Sequence, residues 1–170
     1  MVGFSTNDNP SHQGKTNTWF TPYEIVRSLG SFDLDPCSQS FRPKKLARRE
    51  FFHDKGDDGL LLEWSGRVWL NPPYGKEIGK WLDRLHSHGN GIALVFSRTE
   101  TRWAQKELER CDAVNFIRGR ISFIHESGKE SHNASNGSML LAYGRQNIES
   151  IFNIDGVAMD SHFLRGKYEV

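Results

Sequence analysis

The alternation of apolar and polar positions divides the chain into short helices and strands. From Lys76 to His88, Ile78, Trp81, Leu82 and Leu85 recur at spacings of three and four, which predicts an amphipathic helix. Gly91 to Phe96 is an unbroken apolar run of strand length and predicts a buried strand. A second helix is read from Thr101 to Arg110 through Trp103, Ala104 and Leu108, and further strands at Ala113 to Ile117, Ile121 to Ile124 and Met139 to Tyr143. Upstream, Phe32-Asp33-Leu34-Asp35 alternates before Pro36 and suits a strand running into a loop, and Arg49 to Phe52 suits another. Arg67-Val68-Trp69-Leu70 is a β-type run ended abruptly by Asn71-Pro72-Pro73-Tyr74-Gly75. Nearer the front, Thr21-Pro22-Tyr23-Glu24 has the form of a capping box with proline at the first helical position, and Gly30 stops the short helix that follows. Strands alternating with helices predict an α/β fold, a mainly parallel sheet with helices on both faces. In such sheets ligands bind at the carboxyl ends of the strands, so the loops after Asp35 and after Leu70 share the relevant edge.

The 170 residues fit one domain, and 11 Phe, 5 Trp and 4 Tyr supply the large apolar areas that disordered chains lack. Lys plus Arg total 22 against 21 acidic residues, so no global field holds the protein on a polyanion. Any affinity for nucleic acid must be local. Arg42, Lys44, Lys45, Arg48 and Arg49 form one dense cationic run, which reads equally well as a phosphate-binding patch or a solvated helix face. Cys37 and Cys111 are too few for a disulfide framework, and the scattered histidines have no metal-ligand spacing, so no metal is expected. The polar stretch Met1 to Asn17 is expected to be a flexible arm without the apolar core of a signal peptide. Apolar runs fall far short of a membrane span, and no membrane partner is expected.

The most informative residues are Asn71-Pro72-Pro73-Tyr74. Turn-forming dipeptides explain the prolines but have no use for the flanking Asn and Tyr. An exocyclic amine on a base is a poor nucleophile because its lone pair is delocalised into the ring. Acceptors that draw its N–H groups out of planarity localise that pair. Asn71 can offer its side-chain oxygen and Pro72 its carbonyl, in a loop stiffened by two fixed φ angles. Tyr74 offers a flat face on which a base flipped out of a duplex can stack.

Four strings taken in order carry a family resemblance. Trp19-Phe20-Thr21-Pro22, Phe32-Asp33-Leu34-Asp35-Pro36-Cys37, Asp58-Gly59-Leu60 with Trp64, and Trp69-Leu70-Asn71-Pro72-Pro73-Tyr74-Gly75 resemble the phage-type DNA N6-adenine methyltransferases, the Dam family. A weaker likeness continues through Phe116-Ile117-Arg118-Gly119-Arg120-Ile121-Ser122-Phe123, so the resemblance spans Trp19 to about Gly144. It implies a Rossmann-like methyltransferase fold that uses S-adenosylmethionine to make N6-methyladenine in DNA, in the cytoplasm of a bacterial cell or a phage-infected host. Residues 18–170 would form a single methyltransferase domain with no separate target-recognition domain, and short or relaxed sequence specificity follows. By position, Asn71, Pro72, Pro73 and Tyr74 would be catalytic. Thr21 and Pro22 would border the methionine end of the cofactor, and Asp35, Pro36 and Cys37 would form its main binding turn.

The resemblance is incomplete in one respect. Cys37-Ser38-Gln39-Ser40 has no glycine where most methyltransferases carry a glycine-rich loop. Asp54, Asp57 and Asp58 compete for the ribose or adenine of the cofactor, and Asp58 is favoured because it begins the matching Asp-Gly-Leu string. DNA contacts are expected from Arg98, Arg118, Arg120, Lys44 and Lys45, with Phe123 near the target base and the loops Ser38 to Arg49 and His125 to Asn136 reading sequence. Thr99 or Thr101 is expected to cap a helix. A methyltransferase of the same type acting on RNA or a protein glutamine stays open, as does a catalytically inactive nucleic-acid-binding module. The oligomeric state is left open, with a monomer favoured.

Overall fold

The computed structural model describes residues 19–125 and 136–161. The expected N-terminal arm and most of the loop between His125 and Asn136 lie outside them. The strands are β1 (Trp19–Phe20), β2 (Leu34–Ser38), β3 (Arg49–Phe52), β4 (Val68–Leu70), β5 (Gly91–Phe96), β6 (Ala113–Ile117), β7 (Ile124–His125), β8 (Ser138–Tyr143) and β9 (Gly156–Asp160). The helices are α1 (Tyr23–Ser28), α2 (Ile78–His88), α3 (Arg102–Arg110) and α4 (Arg145–Phe152). Seven strands form one sheet in the order β3-β2-β4-β5-β8-β6-β9, and β1 pairs antiparallel with β7 in a separate ribbon.

The sheet is mixed rather than mainly parallel. β3, β2, β4 and β5 run parallel to their neighbours, but β8 lies antiparallel between β5 and β6, and β9 runs antiparallel to β6. Apolar periodicity sets which face a strand buries and carries no information about its direction, so β8 looked like any other buried strand. The expectation of helices on both faces holds. Along β5, Ile92 and Leu94 pack with Val26 of α1, Leu29 just after it and Ile151 of α4, while Ala93 and Val95 pack with Trp81, Leu82 and Leu85 of α2 and Ala104 of α3. This is the period of two expected of a strand covered on both sides.

Several local expectations are corrected. Thr21 does not cap α1, whose N-terminus makes no side-chain cap hydrogen bond; its hydroxyl is engaged elsewhere. Gly30 does end that turn, with φ +100° and its N–H donated to the Arg27 carbonyl. β2 runs through Pro36 instead of stopping before it. It pairs with β4 at Leu34, and its register with β3 shifts between Asp35 and Ser38, so the missing proline N–H falls where the ladder is already broken. Residues 121–123 are not strand; only Ile124–His125 pair, and with β1. Thr101 does cap α3, accepting from the Ala104 N–H.

Candidate active site

The carboxyl ends of β2, β4 and β5 splay around a cleft of about 1280 Å³. Asp35, Pro36, Cys37, Asp58, Asn71, Pro72, Pro73, Tyr74 and Phe123, all proposed from sequence, line it. Thr21 touches the site through Asn71, as described below. Among the described residues no group of His, Cys, Asp or Glu is arranged to hold a metal ion, and no helix is long and apolar enough to cross a membrane.

The loop after β4 is held from two sides. The Asn71 side-chain N–H donates to the hydroxyl of Thr21, which is buried, at 3.0 Å. The Cys37 thiol donates to the Asn71 main-chain carbonyl at 3.1 Å. Burial and the neighbouring Asp35 push the Cys37 thiol up, so it stays protonated and remains a donor. With its nitrogen committed to Thr21, the Asn71 amide presents its oxygen on the other prong of the fork. That oxygen makes no hydrogen bond among the described residues.

Asp35 is only 3 % exposed. One of its oxygens accepts the Cys37 N–H at 3.1 Å. Loss of water pushes its carboxyl up to about 7, against the opposing pull of the Arg42 guanidinium. Arg42 also lines the cleft, next to Asp35 and Cys37, and its guanidinium lies 5.1 Å from the centre of the Phe20 ring. Its placement separates it from the rest of the cationic run. Lys44 lies over the Tyr23 ring, Lys45 lines a shallow groove at Ser31 and Phe32, and Arg48 is paired with Asp33. Arg49 donates to Glu63 and Ser65 just ahead of β4. The run therefore does not act as one patch: Arg42 faces the cleft, whereas Lys44, Lys45 and Arg48 gather around the groove at Tyr23 and Phe32.

The acidic loop after β3 has mostly structural duties. Asp54 accepts from Ser40, Asp57 from the Phe52 N–H, and Asp58 from the Leu60 N–H. Asp57 and Asp58 line the cleft and Asp54 does not. The Asp58-Gly59-Leu60 string gains a physical meaning from Gly59, whose added Cβ would fall 1.8 Å from the Pro36 carbonyl oxygen. The Trp64 indole N–H holds the Gly59 carbonyl at 2.7 Å. This backbone approach needs a glycine, and it brings the loop against the end of β2.

Tyr74 is 45 % exposed and stacks on Phe96, ring centres 4.3 Å apart and planes 13° from parallel. Phe96 in turn meets Phe123 edge-on at 6.2 Å. Loss of water around the Tyr74 hydroxyl pushes the phenol up, so it is neutral at any physiological pH. Sequence reasoning missed Phe96, taking it for the end of a buried strand. Its place as last residue of β5, on the edge already assigned to ligands, was the available signal.

The remaining residues expected at DNA lie outside the cleft. Arg98 and Arg118 are exposed and paired with Glu100 and Asp155, and Arg120 is exposed. All three follow the carboxyl ends of β5 or β6, on the same edge as the cleft. Pro22 begins the turn into α1.

The fold and site define an α/β protein whose sheet edge gathers the Asn-Pro-Pro-Tyr loop, an aromatic stack, a buried carboxyl and a buried guanidinium in one cleft. The model of the DNA N-6-adenine-methyltransferase (Dam) family matches residues 9–167, and the chain belongs to that family. No curated protein and no solved structure is significantly similar to the chain.

Proposed function

We propose that the protein transfers a methyl group from S-adenosylmethionine to the N6 amine of adenine in DNA, within a fold of the Rossmann-like methyltransferase type. Family membership supports the reaction class. The observation that carries the reading is the Asn71 amide, held by Thr21 so that its oxygen is presented beside Pro72 and Tyr74.

The cleft suits such a cofactor. It has room for a nucleoside and a flipped base together. Asp35 offers a carboxylate, and Arg42 carries buried guanidinium nitrogens that lack partners. Asp35, Pro36, Cys37 and Asp58 would hold the cofactor, with Thr21 and Pro22 bordering its methionine end. When bound, S-adenosylmethionine supplies an electrophilic methyl group on sulfur.

The chain's own residues prepare the amine. The Asn71 side-chain oxygen and the Pro72 carbonyl accept its two N–H groups, which draws the nitrogen toward tetrahedral geometry and localises its lone pair. Tyr74, braced by Phe96, stacks on the flipped base and fixes the amine between these acceptors. Formation of the new N–C bond, with the methyl–sulfur bond broken and the sulfur leaving as a neutral thioether, would put positive charge on the nitrogen, and the same two oxygens would stabilise that charge before its surplus proton leaves to water. Arg98, Arg118 and Arg120, on the same edge as the cleft, meet phosphates, the exposed ion pairs of Arg98 and Arg118 being weak enough to exchange partners. Lys44 and Lys45 add phosphate contacts farther out, and the sequence preference is short.

Labelled S-adenosylmethionine incubated with unmodified DNA should yield N6-methyladenine, and Asn71→Ala should lower the single-turnover rate by roughly two to three orders of magnitude while cofactor binding survives. Label appearing only in RNA or on protein glutamine would replace this reading with its rivals.

A further inference from the structure

Arg42 is an anomaly in the charge layout. Its Nε and Nη1 are buried and make no hydrogen bond, and it forms no ion pair among the described residues. A guanidinium cannot shed its proton, so burial leaves it a cation with unmet donors. Burial does pull its pKa down from the usual value, against the fields of Asp35 and Glu50. The neighbouring acids do not close on it. Glu50 spends one oxygen on the Ser38 hydroxyl and the Leu46 N–H, and Asp35 has one on the Cys37 N–H. Phe20 supports the guanidinium from one side at 5.1 Å, and the residue lines the cleft.

A buried group with these donors asks for an anion, and its surroundings say which kind. Asp35 lies beside it on the same wall, so the wall carries an acceptor and a cation together. A DNA phosphate brings only negative charge, which Asp35 and Glu50 oppose. An α-amino acid brings an ammonium and a carboxylate on one carbon, and so matches both groups at once. We propose that Arg42 binds the α-carboxylate of the amino-acid tail of S-adenosylmethionine while Asp35 takes its α-ammonium. The assignment rests on the cofactor reading above and gives Arg42 a role distinct from the phosphate contacts expected of its cationic neighbours.

Calorimetry with two ligands tests it: S-adenosylmethionine, and its decarboxylated form, which keeps the ammonium and lacks the carboxylate. The wild type should bind the intact cofactor about tenfold to a hundredfold more tightly than the decarboxylated form. Arg42→Gln should lose about that factor for the intact cofactor, hold the decarboxylated form within about threefold, and leave DNA affinity unchanged, with Arg42→Lys recovering part of the loss. Thermal unfolding without ligand should show Arg42→Gln at least as stable as wild type, because an unpaired buried charge is removed. Equal binding of both ligands by the wild type overturns the assignment without any variant. So does Arg42→Gln binding S-adenosylmethionine normally, or losing DNA affinity alone. A wild type that binds neither ligand removes the cofactor reading itself.

Discussion

Thr21 acts on the site at one remove. Its hydroxyl touches the Asn71 nitrogen at 3.0 Å and thereby decides which prong of the amide faces the cleft. Thr21→Val removes that anchor at nearly constant shape, and the loss of one hydrogen bond should lower the single-turnover methylation rate by about fivefold to tenfold. Thr21→Ser should restore it. In an Asn71→Ala background Thr21→Val should cost nothing more, which a double-mutant cycle reads directly. Asp35 carries a pH signature. Its folded pKa of about 7 lies above the ordinary 3.8, with Arg42, Glu50 and Cys37 as its charged or titratable neighbours. A carboxyl raised in this way lends stability that is complete below its unfolded pKa and lost as pH rises through 7. Asp35→Asn should therefore raise the melting temperature of the ligand-free protein at about pH 8, and that gain should shrink toward about pH 5. Binding of a cationic group at Asp35 should release a proton below neutrality, visible as a binding enthalpy that changes with the buffer.

Among the elements, the contact between the loop after β3 and the end of β2 is the most sensitive to sequence. Gly59→Ala would drive a methyl group into the Pro36 carbonyl, and backbone must move to relieve it. Overpacking of this kind costs about 1 to 3 kcal/mol, and urea unfolding should show a loss in that range together with weaker cofactor binding. How far the elements were legible follows from the same physics. β3, β5 and β6 have the limits that their apolar runs predict, and α2 follows its three-and-four spacing. Short range was enough for them. α4 and β9 went unnoticed because they are brief and only partly buried and depend on distant partners: β9 pairs along β6, and the Asn115 side-chain N–H groups gather the Ile151 and Ile154 carbonyls at the end of α4 and just after it. Thr21 was misread as a cap because its true partner lies 50 residues along the chain. Arg42 stood in a run that reads equally as a phosphate-binding patch or a solvated face, and only the folded sheet shows this member of it turned inward. Asn71 and Tyr74 were legible because their chemistry is unusual for a turn, whereas the aromatic brace from Phe96 depends on where β5 ends.

Across the whole molecule the two edges of the sheet have different characters. The amino edge is locked: Arg67 stacks on Phe32 and donates to Asn147, Ser31 and Ser150, joining the entry to β4 to the segment after α1 and to α4. The carboxyl edge stays open and gathers the reactive groups. Strand order also has a consequence for how the chain leaves the ribosome. β8 is what joins β5 to β6, yet it is made after both. Until Ser138–Tyr143 emerges, a nascent chain carries Gly-Ile-Ala-Leu-Val-Phe with one flank unpaired, and β6 has no strand through which to reach the parallel half. An apolar edge of that length is a template for unwanted pairing. A chain stopped before Ser138 should therefore pellet on synthesis in a chaperone-free translation system, and the full chain should stay in the supernatant. A soluble, monomeric, cooperatively unfolding truncation would show instead that the first half of the sheet guards its own edge while the rest is being made.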